Sequence, residues 1–435
     1  CHLYGYNIRE VFNLLLKNVK VIDPASEKDF EGDVLIKNGY IEKVLEGNLD
    51  CDSNEEVFDL SGKILAPSFF DTHVHFRDFE ESDKETYETG AHAALSGGYT
   101  HVCAMANSKP PIDSVSKYEE VQEKIKNIPI DIYQAVNMTI GMKGENLTDF
   151  ESLKKIGVKC ITDDGFPIVR EEVMIEALKL SQEYGFILSL HEEDPSFIEH
   201  PGYDDTANRK AEISIIERDL KLLEKYGGHI NIQHLSSKES VELIRDAKKS
   251  GLKLTCEVTP THLFFTKDMV EKYGTLLKVN PPVRTEEDRV ALIEGLKDGT
   301  IDMIATDHAP HTAGDKKLGE FKSKSGLISI ETAFSVAMEK IYHEKIMSMR
   351  EIIRCLSTNP RALFGIKSPI ATGERADLVV LDKDAEYIYD HSYSKSQNTP
   401  LFGRKMIGKV LMTIKDGKVL YNDLKEGTSE DRFNC

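Results

Sequence analysis

The feature that most constrains the fold is a regular alternation of strand-like and helix-like segments through the middle of the chain. Each of eight apolar, strand-like runs is followed by a segment in which apolar residues recur at helical spacing. The runs are residues 64–75, 99–106, 131–136, 158–164, 186–191, 229–235, 253–260 and 301–308. Because parallel strands require helical crossovers, this order predicts an α/β protein with a (β/α)8 TIM-type barrel. A doubly wound open sheet is the alternative.

The two ends of the chain follow a different pattern, in which short β-rich runs are separated by turn residues. The runs are residues 19–22, 33–36 and 40–44 near the start, and 377–382, 410–414 and 418–421 near the end. This pattern is typical of hairpins. We expect one small β-sandwich domain built from both ends. It divides the chain into residues 1–60, the barrel at 61–368, and 369–435. Two unrelated β-extensions are the alternative.

Charge and cysteine content narrow the classes of function. The net charge of −19 leaves no basic excess to meet phosphate, which argues against nucleic acid or an anionic membrane as a partner. An anionic small substrate would need a local cationic pocket. The seven cysteines are scattered, odd in number and not a disulfide framework, so we predict a cytoplasmic location. No signal peptide or membrane-spanning window is visible.

A pair of histidines follows the first strand candidate of the barrel. Alternate side chains of a strand lie on one face, so His73 and His75 point the same way, with Arg77 two residues beyond. Two imidazoles on one face offer two nitrogen ligands to a single ion, and imidazole suits zinc and its neighbours. The pair therefore indicates a metal site at the end of this strand.

Further metal-ligand and polar residues fall where the other strands are predicted to end. These are Asn107, Asp163 and Asp164, His191, His234, Glu257 and His262, and Asp307, His308 and His311. The active sites of TIM barrels form at the carboxyl ends of the strands. The sequence therefore predicts that these side chains converge on one metal centre.

Six short motifs resemble those of the type I dihydroorotases, which belong to the amidohydrolase superfamily. They are HVHFR at 73–77, MANSKPPID at 105–113, TDDG at 162–165, LHEED at 190–194, VNPPVR at 279–284 and ATDHAPH at 305–311. Two departures from the family pattern stand out. Phe79 and Glu80 replace a usual Pro-Gly, and Ala106 and Ser108 alter a usual MPNT. Neither departure changes an expected ligand, but the family pattern no longer predicts the shape of the first loop.

The resemblance implies a role for each matching residue. His73 and His75 would bind the more buried metal, and Asp164 would bridge to a second metal held by His191 and His234. Asp307 would bind the first metal and act as the catalytic proton shuttle. The substrate-binding group would be His75, Arg77, Asn107, Asn280, His311, Ser325 and Gly326. Within it, Arg77, Asn107 and His311 would take a carboxylate, and Asn280 a ring amide.

The resemblance also implies a reaction, a cofactor and partners. The reaction is the reversible cyclisation of N-carbamoyl-L-aspartate to L-dihydroorotate with loss of water, the third step of pyrimidine (UMP) biosynthesis. The expected cofactor is zinc, one or two ions per subunit, with two expected. Zinc suits the reaction because it lowers the pKa of bound water from 15.7 to roughly 7. A homodimer and an association with aspartate transcarbamoylase are implied as well.

Several alternatives stay open at this point. A hydantoinase- or allantoinase-type enzyme would use a carboxylated lysine as the bridge, for which Lys159 is the candidate. Asp163 could replace Asp164 as the bridging carboxylate, and His262 is expected beside the site rather than as a ligand. Residues 262–282 could close over the substrate. A catalytically silent barrel that scaffolds a partner is the alternative from outside the enzyme classes.

Overall fold

The chain forms a barrel and a separate sheet built from both of its ends. The computed structural model describes residues 13–52, 54–199, 205–367 and 369–424. The strands described are β1 (Asn13–Asp23), β2 (Lys28–Lys37), β3 (Tyr40–Glu46), β4 (Glu56–Asp59), β5 (Ile64–Pro67), β6 (Phe69–Val74), β7 (Tyr99–Ala104), β8 (Asp131–Gln134), β9 (Cys160–Ile161), β10 (Ile187–Leu190), β11 (Ile230–Ile232), β12 (Leu254–Val258), β13 (Met303–Ile304), β14 (Leu378–Ile388), β15 (Lys405–Lys415) and β16 (Lys418–Asn422).

Helices follow most strands of the barrel and pack around it. The α-helices described are α1 (Tyr87–Ser96), α2 (Val115–Ile125), α3 (Phe150–Lys155), α4 (Glu171–Tyr184), α5 (Asp205–Tyr226), α6 (Lys238–Lys249), α7 (Pro260–Phe264), α8 (Val270–Tyr273), α9 (Glu286–Asp298), α10 (Ala313–Lys316), α11 (Gly319–Lys322), α12 (Ala333–Ala337), α13 (Met349–Ile353) and α14 (Asn359–Leu363). Helix α6 shows why they form. Val241, Ile244 and Ala247 are buried at helical spacing, and the Ser237 hydroxyl caps the first turn.

Strands β6–β13 are all parallel and close into a ring. Their ladders run β6-β7-β8 and β13-β12-β11-β10-β9. Two parallel bridges join the ladders, Val136 with Ile161 and Val74 with His308. At these joints the Thr162 N–H donates to the Val136 carbonyl at 2.9 Å, and the His75 N–H donates to the His308 carbonyl at 2.9 Å. The predicted (β/α)8 barrel is confirmed, and the open doubly wound sheet is wrong.

The predicted strand at 64–75 is two strands that belong to different sheets. Strand β5 pairs with β1 and β14 in the terminal sheet, whereas β6 begins the barrel. The change takes place around Ser68, whose N–H donates to the Asp377 carbonyl at 3.0 Å, while the Phe69 N–H donates to Gly98 at 2.8 Å. Pro67 has no N–H to donate and so ends the ladder of β5. The prediction of one continuous strand is wrong for this reason.

The terminal sheet has the order β16-β15-β14-β5-β1-β2-β3, with β4 also paired to β1. The hairpin turns of its two halves meet at Gly39 and Gly417, and the Ala376 N–H, just before β14, donates to the Gly39 carbonyl at 2.9 Å. Gly417 has φ +71°, and a Cβ there would lie 2.7 Å from the Gly39 Cα, so only glycine fits. Leu16 and Ile414 share one core, so the prediction of a single unit from both ends is confirmed. The division at residues 60 and 368 stays a prediction.

Two features bear on the setting of the protein. In the described part of the chain, no helix combines the length and apolarity needed to cross a bilayer. The thiols of Cys103, Cys160, Cys256 and Cys355 are free and buried.

Asp288 joins three helices on the outside of the barrel and is 1% exposed. It lies in the first turn of α9 and accepts hydrogen bonds from Arg209 of α5, at 2.9 Å from Nη1, and from the Lys238 N–H of α6, at 3.0 Å. Burial raises its pKa, but the hydrogen bonds from Arg209 and Thr285 outweigh burial and lower the pKa to about 2. The carboxylate therefore stabilises the fold at neutral pH.

Replacing Asp288 by asparagine should lower the free energy of unfolding at pH 7 by about 2 kcal/mol. A carboxyl group with a lowered folded pKa contributes fully above its ordinary pKa of 3.8, and the contribution is lost as the pH falls towards 2. Urea unfolding at pH 7 and pH 3 checks this, because the deficit should shrink to about half at pH 3. Glu287→Gln, at a solvated neighbouring position, is the control. An equal deficit at both pH values would contradict the assignment.

Candidate metal centre and active site

The carboxyl ends of five barrel strands deliver the predicted metal ligands to one place. His73 lies in β6 and His75 just beyond it. The others follow the ends of their strands: Asp164 after β9, His191 after β10, His234 after β11 and Asp307 after β13. All six side chains meet inside the mouth of the barrel.

His73 and His75 share two carboxylates. The Nε2 of His73 lies 3.4 Å from Asp164 Oδ1 and 3.5 Å from Asp307 Oδ1. The Nε2 of His75 lies 2.9 Å from Asp307 Oδ1 and 3.4 Å from Asp164 Oδ2. One candidate ligand atom each from His73, His75 and Asp307 falls within a 4.8 Å cluster. This spacing allows several of these atoms to contact one ion.

His191 and His234 form the second half of the cluster. Their Nδ1 and Nε2 atoms are 2.9 Å apart, and His191 Nδ1 is 3.8 Å from Asp164 Oδ1. His73, Asp164 and His234 also have candidate ligand atoms within 4.8 Å of one another. The Asp164 carboxylate therefore lies between the two histidine pairs, where a group that bridges two ions would have to lie.

The donor set fits a divalent metal. His73 is 1% exposed, and neither of its ring nitrogens has a hydrogen-bond partner among the described residues. A buried polar group without a partner is costly, and a metal ion would satisfy its lone pair. Imidazole nitrogens combined with carboxylate oxygens are the ligands that zinc and related divalent ions take. These residues therefore form a site for a divalent metal.

Electrostatics keeps the two central carboxylates ionised. Burial alone raises the pKa of Asp164, but His73, His75 and His191 outweigh burial and hold the pKa well below its usual range. The same balance lowers the pKa of Asp307, chiefly through His73 and His75. Burial and the neighbouring His191 lower the pKa of His234, which stays neutral. Burial lowers the pKa of His73 and of His191, but the neighbouring carboxylates outweigh burial and raise both pKa values. Metals bind ionised carboxylates and neutral imidazoles, so an ion at this site would displace protons from these two rings.

Only one of the three candidate bridging groups faces the histidines. The Asp163 carboxylate accepts the N–H groups of Met138 at 2.8 Å and Thr139 at 3.1 Å, so it anchors the preceding loop. The Lys159 side chain is exposed, on the outside of the barrel. Asp164 is the group that the fold turns inward.

Asn107 is held between the two halves of the metal cluster. Its Nδ2 donates to Asp164 Oδ2 at 2.8 Å, and its Oδ1 lies 3.0 Å from His75 Nδ1. The amide therefore orients two predicted ligands in this structure. Only after a change of partner could it also bind a substrate carboxylate.

The remaining predicted substrate residues form a second group beside the cluster. His311 Nε2 lies 2.8 Å from the Ser325 carbonyl and 3.4 Å from Arg77 Nη2, and the Ser325 hydroxyl donates to Asn280 Oδ1 at 3.3 Å. Gly326 has φ +117°, and a Cβ there would come within 2.6 Å of a neighbouring Cβ. Among the described residues, no carboxylate pairs with Arg77, whose Nε donates to a backbone carbonyl. The guanidinium can therefore meet an anion.

The backbone at the site is strained. Arg77, Asp78 and Phe79 have φ between 48° and 53°, and His234 and Asp307 have φ of 30° and 47°. Each such non-glycine conformation costs about 1–3 kcal/mol and is found mainly where function requires it. The first loop, which departs from the family pattern at Phe79, is thus a tight turn. The Asp78 carboxylate stabilises the turn by accepting the Phe79 N–H at 2.6 Å.

Glu257, at the end of β12, is a functional residue whose role the sequence did not reveal. Its Oε2 lies 3.4 Å from His73 Nδ1, while its Oε1 accepts the Thr72 hydroxyl at 2.6 Å and Asn231 Nδ2 at 2.8 Å. A carboxylate on the far nitrogen of a metal-binding histidine fixes its orientation. Glu193 stands in the same relation to His191, 3.0 Å from Nε2. A carboxylate next to a strand end was the only signal in the sequence.

His262 lies beside the site and does not join the ligands. Its Nδ1 is 2.8 Å from the Thr259 hydroxyl, and its Nε2 donates to the Pro281 carbonyl at 3.0 Å. Burial lowers its pKa to about 4, so the ring stays neutral. His262 thereby ties the end of β12 to the loop that carries Asn280. Whether residues 262–282 close over a substrate stays a prediction.

Comparison with known proteins gives three results. The model of a family described as "Amidohydrolase family" matches residues 64–420. A dihydroorotase of Clostridioides difficile (strain 630) is 39% identical over 421 residues, covering 94% of this chain and 100% of the relative. A dihydroorotase of Aquifex aeolicus (strain VF5) is 39% identical over 427 residues, covering 95% and 100%.

Solved structures with the same fold include hydantoinases. An L-hydantoinase (dihydropyrimidinase) from Arthrobacter aurescens gives a TM-score of 0.85 at 23% identity, covering 95% of this chain and 96% of the other. A D-hydantoinase (dihydropyrimidinase) from Thermus sp. gives 0.82 at 24% identity, covering 94% and 95%. At these identities the likeness shows the fold alone.

Removing the Glu257 carboxylate should weaken metal binding by about 10- to 100-fold, because His73 loses the group that orients its ring. Glu257→Leu tests this, and Glu257→Gln, which keeps an oxygen acceptor, should lie between it and the wild type. Metal content after dialysis against chelators of graded strength is the measurement. Glu242→Leu, at a solvated position of α6, is the control. Wild-type retention in Glu257→Leu would rule out this role.

Proposed function

We propose that this chain, a member of the amidohydrolase family that groups with the dihydroorotases, interconverts N-carbamoyl-L-aspartate and L-dihydroorotate. Ring closure releases water, and ring opening consumes it, in the third step of pyrimidine biosynthesis. The observation that carries the proposal is the convergence of six predicted ligands beside a guanidinium that no carboxylate of the described residues pairs with, in a chain 39% identical to a dihydroorotase over 94% of its length. The cluster supplies the chemistry, and Arg77 supplies the specificity.

The metal roles follow from which side chains lie together. We propose that the ions are zinc, two per chain, with His73, His75 and Asp307 around one and His191 and His234 around the other. Asp164 would serve both. When bound, zinc lowers the pKa of water from 15.7 to about 7 and polarises the carbonyl under attack.

Asp307 is proposed as the proton shuttle. It is held 2.9 Å from His75 Nε2, and its lowered pKa keeps it ionised and able to accept a proton. In ring opening it takes a proton from the attacking water and gives it to the ring nitrogen as the amide C–N bond breaks. In ring closure it takes the proton of the carbamoyl nitrogen and returns it to the departing oxygen. The carboxylate ends each cycle in its starting form.

Arg77 and His311 are proposed to bind the substrate carboxylate. The planar fork of an arginine matches the two oxygens of a carboxylate. His311 stands 3.4 Å from that fork, and burial together with Arg77 keeps its pKa low, so the ring stays neutral beside the guanidinium and can act as a hydrogen-bonding partner. Asn107 would bind the same carboxylate. Asn280 and the Ser325-Gly326 backbone would take the ring amide on the other side.

The alternatives fit the site less well. A hydantoinase- or allantoinase-type enzyme would need a lysine bridge, and the Lys159 side chain is exposed on the outside of the barrel. Its neutral substrates would also leave Arg77 without an anionic partner. A silent scaffold has no need of six converging ligands or of the strained backbone at His234 and Asp307.

The setting and assembly of the enzyme also remain proposals. The resemblance to the dihydroorotases supports a cytoplasmic enzyme that acts on a small molecule, forms a homodimer and associates with aspartate transcarbamoylase. The net charge of −19 disfavours nucleic acid as a partner. Sedimentation of the purified protein, alone and mixed with a transcarbamoylase, would decide the assembly.

Zinc-loaded protein should open L-dihydroorotate, followed by the loss of the ultraviolet absorbance of the ring. Chelation should abolish turnover, and added zinc should restore it. Asp307→Asn should lower kcat by about 100- to 10,000-fold, because the proton acceptor is removed. Absence of turnover in metal-replete protein would reject the proposal, and turnover of hydantoin or allantoin instead would favour the alternative.

Arg77→Met should raise the KM for L-dihydroorotate by about 10- to 100-fold, since charge-assisted hydrogen bonds contribute about 1.5–3 kcal/mol. Arg170→Met, at an exposed position before α4, is the matched control and should keep the wild-type KM. Steady-state kinetics of the three proteins at equal metal content is the measurement. If Arg77→Met keeps the wild-type KM, the carboxylate anchor lies elsewhere.

A further inference from the structure

Lys316 is a buried lysine whose role the proposed reaction does not explain. It lies at the end of α10 and is 4% exposed. Its Nζ donates to the carbonyls of Lys324 at 2.9 Å, Gly326 at 2.9 Å and Lys278 at 3.4 Å. Among the described residues, no carboxylate forms an ion pair with it. Three acceptors match the three N–H donors of an ammonium group, which no other side chain offers from one atom.

Burying the ammonium group of Lys316 costs free energy, because the charge loses its contact with water. Burial lowers the pKa of Lys316 to about 7, with Lys278 acting in the same direction and Asp315 against it. Hydrogen bonds to backbone dipoles, together with the charge of Asp315, offset the desolvation of the ammonium. A methionine or leucine would fill the same space without that cost. The contacts of the ammonium, rather than the burial of its stem, are what distinguish lysine here.

The three carbonyls belong to two loops that carry proposed substrate groups. Lys278 precedes Asn280 in the loop between β12 and α9, and Lys324 and Gly326 flank Ser325 in the turn after α11. The Gly326 N–H also donates to the Lys278 carbonyl at 2.9 Å, so this carbonyl joins the turn both directly and through the ammonium. The ammonium thus joins the two loops, in addition to the direct hydrogen bond between their backbones.

The turn that carries Ser325 also positions His311. The Ser325 carbonyl lies 2.8 Å from His311 Nε2, and the Ser325 hydroxyl donates to Asn280 Oδ1 at 3.3 Å. If this turn shifts, the Ser325 carbonyl moves with it, and the orientation of His311 towards Arg77 changes. The hydrogen bonds of Lys316 Nζ go to backbone carbonyls and not to these side chains, so its contacts reach them through the backbone, while its charge also lowers the pKa of His311.

We infer that Lys316 is a positioning residue for substrate binding, which holds the loop of Asn280 and the turn of Ser325 in register. The inference rests on the proposed function for the identity of the substrate. The proposed role of Lys316 does not involve the metal centre. Loss of its ammonium should weaken the binding of the substrate and leave the metal ligands and the proton shuttle in place.

The test compares Lys316→Met with the wild type and with Lys322→Met, an exposed lysine of α11 as the matched control. The expected result is a rise of about tenfold or more in KM for L-dihydroorotate, with kcat within about threefold and unchanged zinc content. In the free proteins, hydrogen exchange at residues 275–280 and 323–327 should be about tenfold faster in Lys316→Met only. Lys316→Gln, with two N–H donors, should change in the same direction by less.

Several outcomes would overturn the inference. These are a wild-type KM in Lys316→Met, unchanged exchange in the two segments, or a loss of zinc that parallels the loss of activity. If Lys316→Met does not fold, a wild-type KM in Lys316→Gln has the same force. A wild-type protein that turns over no dihydroorotate rejects the proposed function instead, and the exchange measurement then still decides whether Lys316 holds the two loops.

Discussion

The burial of one carboxylate, that of Asp164, is the constraint on which the site depends. It is 4% exposed, and a buried negative charge requires cations or hydrogen-bond donors around it. His73, His75 and His191 lie within 4 Å of its oxygens, and Asn107 donates to it at 2.8 Å. These groups come from three other places in the chain: the end of β6 for His73 and His75, the segment after β7 for Asn107, and the end of β10 for His191. Asp164 therefore stays where it is only while the ring of strands is intact.

The barrel and the terminal sheet are joined at the opposite end from the site. There His101, Asp131 and Asp377 form a further cluster of metal-ligand types. Lys415 Nζ lies 2.8 Å from Asp131 and 2.9 Å from Asp377, so an ammonium already neutralises both carboxylates. The cluster is a joint between barrel and sheet. Two similar groups of residues thus differ, because one contains a cation and the other leaves the ring nitrogens of His73 without a hydrogen-bond partner among the described residues.

Much of the fold and most of the site could be predicted from the sequence, and the failures have identifiable causes. The order of strands and helices is a local property, so the barrel could be inferred. The break between β5 and β6 could not, because Ser68 pairs with Asp377, which lies far along the chain. Glu257 could not be assigned because its role depends on a 3.4 Å approach to His73, from a strand on another part of the ring. The sequence does not distinguish Lys316 from the other lysines, because its three carbonyl partners come together only in the folded chain.

The sequence by itself determined which chemical groups are present and which strand ends carry them, because side-chain alternation and crossover connections follow local rules. Only the tertiary structure shows that Asp164, and not Asp163, faces the histidines, because the Asp163 carboxylate accepts the backbone N–H groups of Met138 and Thr139. It also decided that Lys159 faces outward and that Arg77 has no carboxylate partner among the described residues. Distances between residues remote in sequence are set by the closure of the ring, and closure is a property of the whole chain.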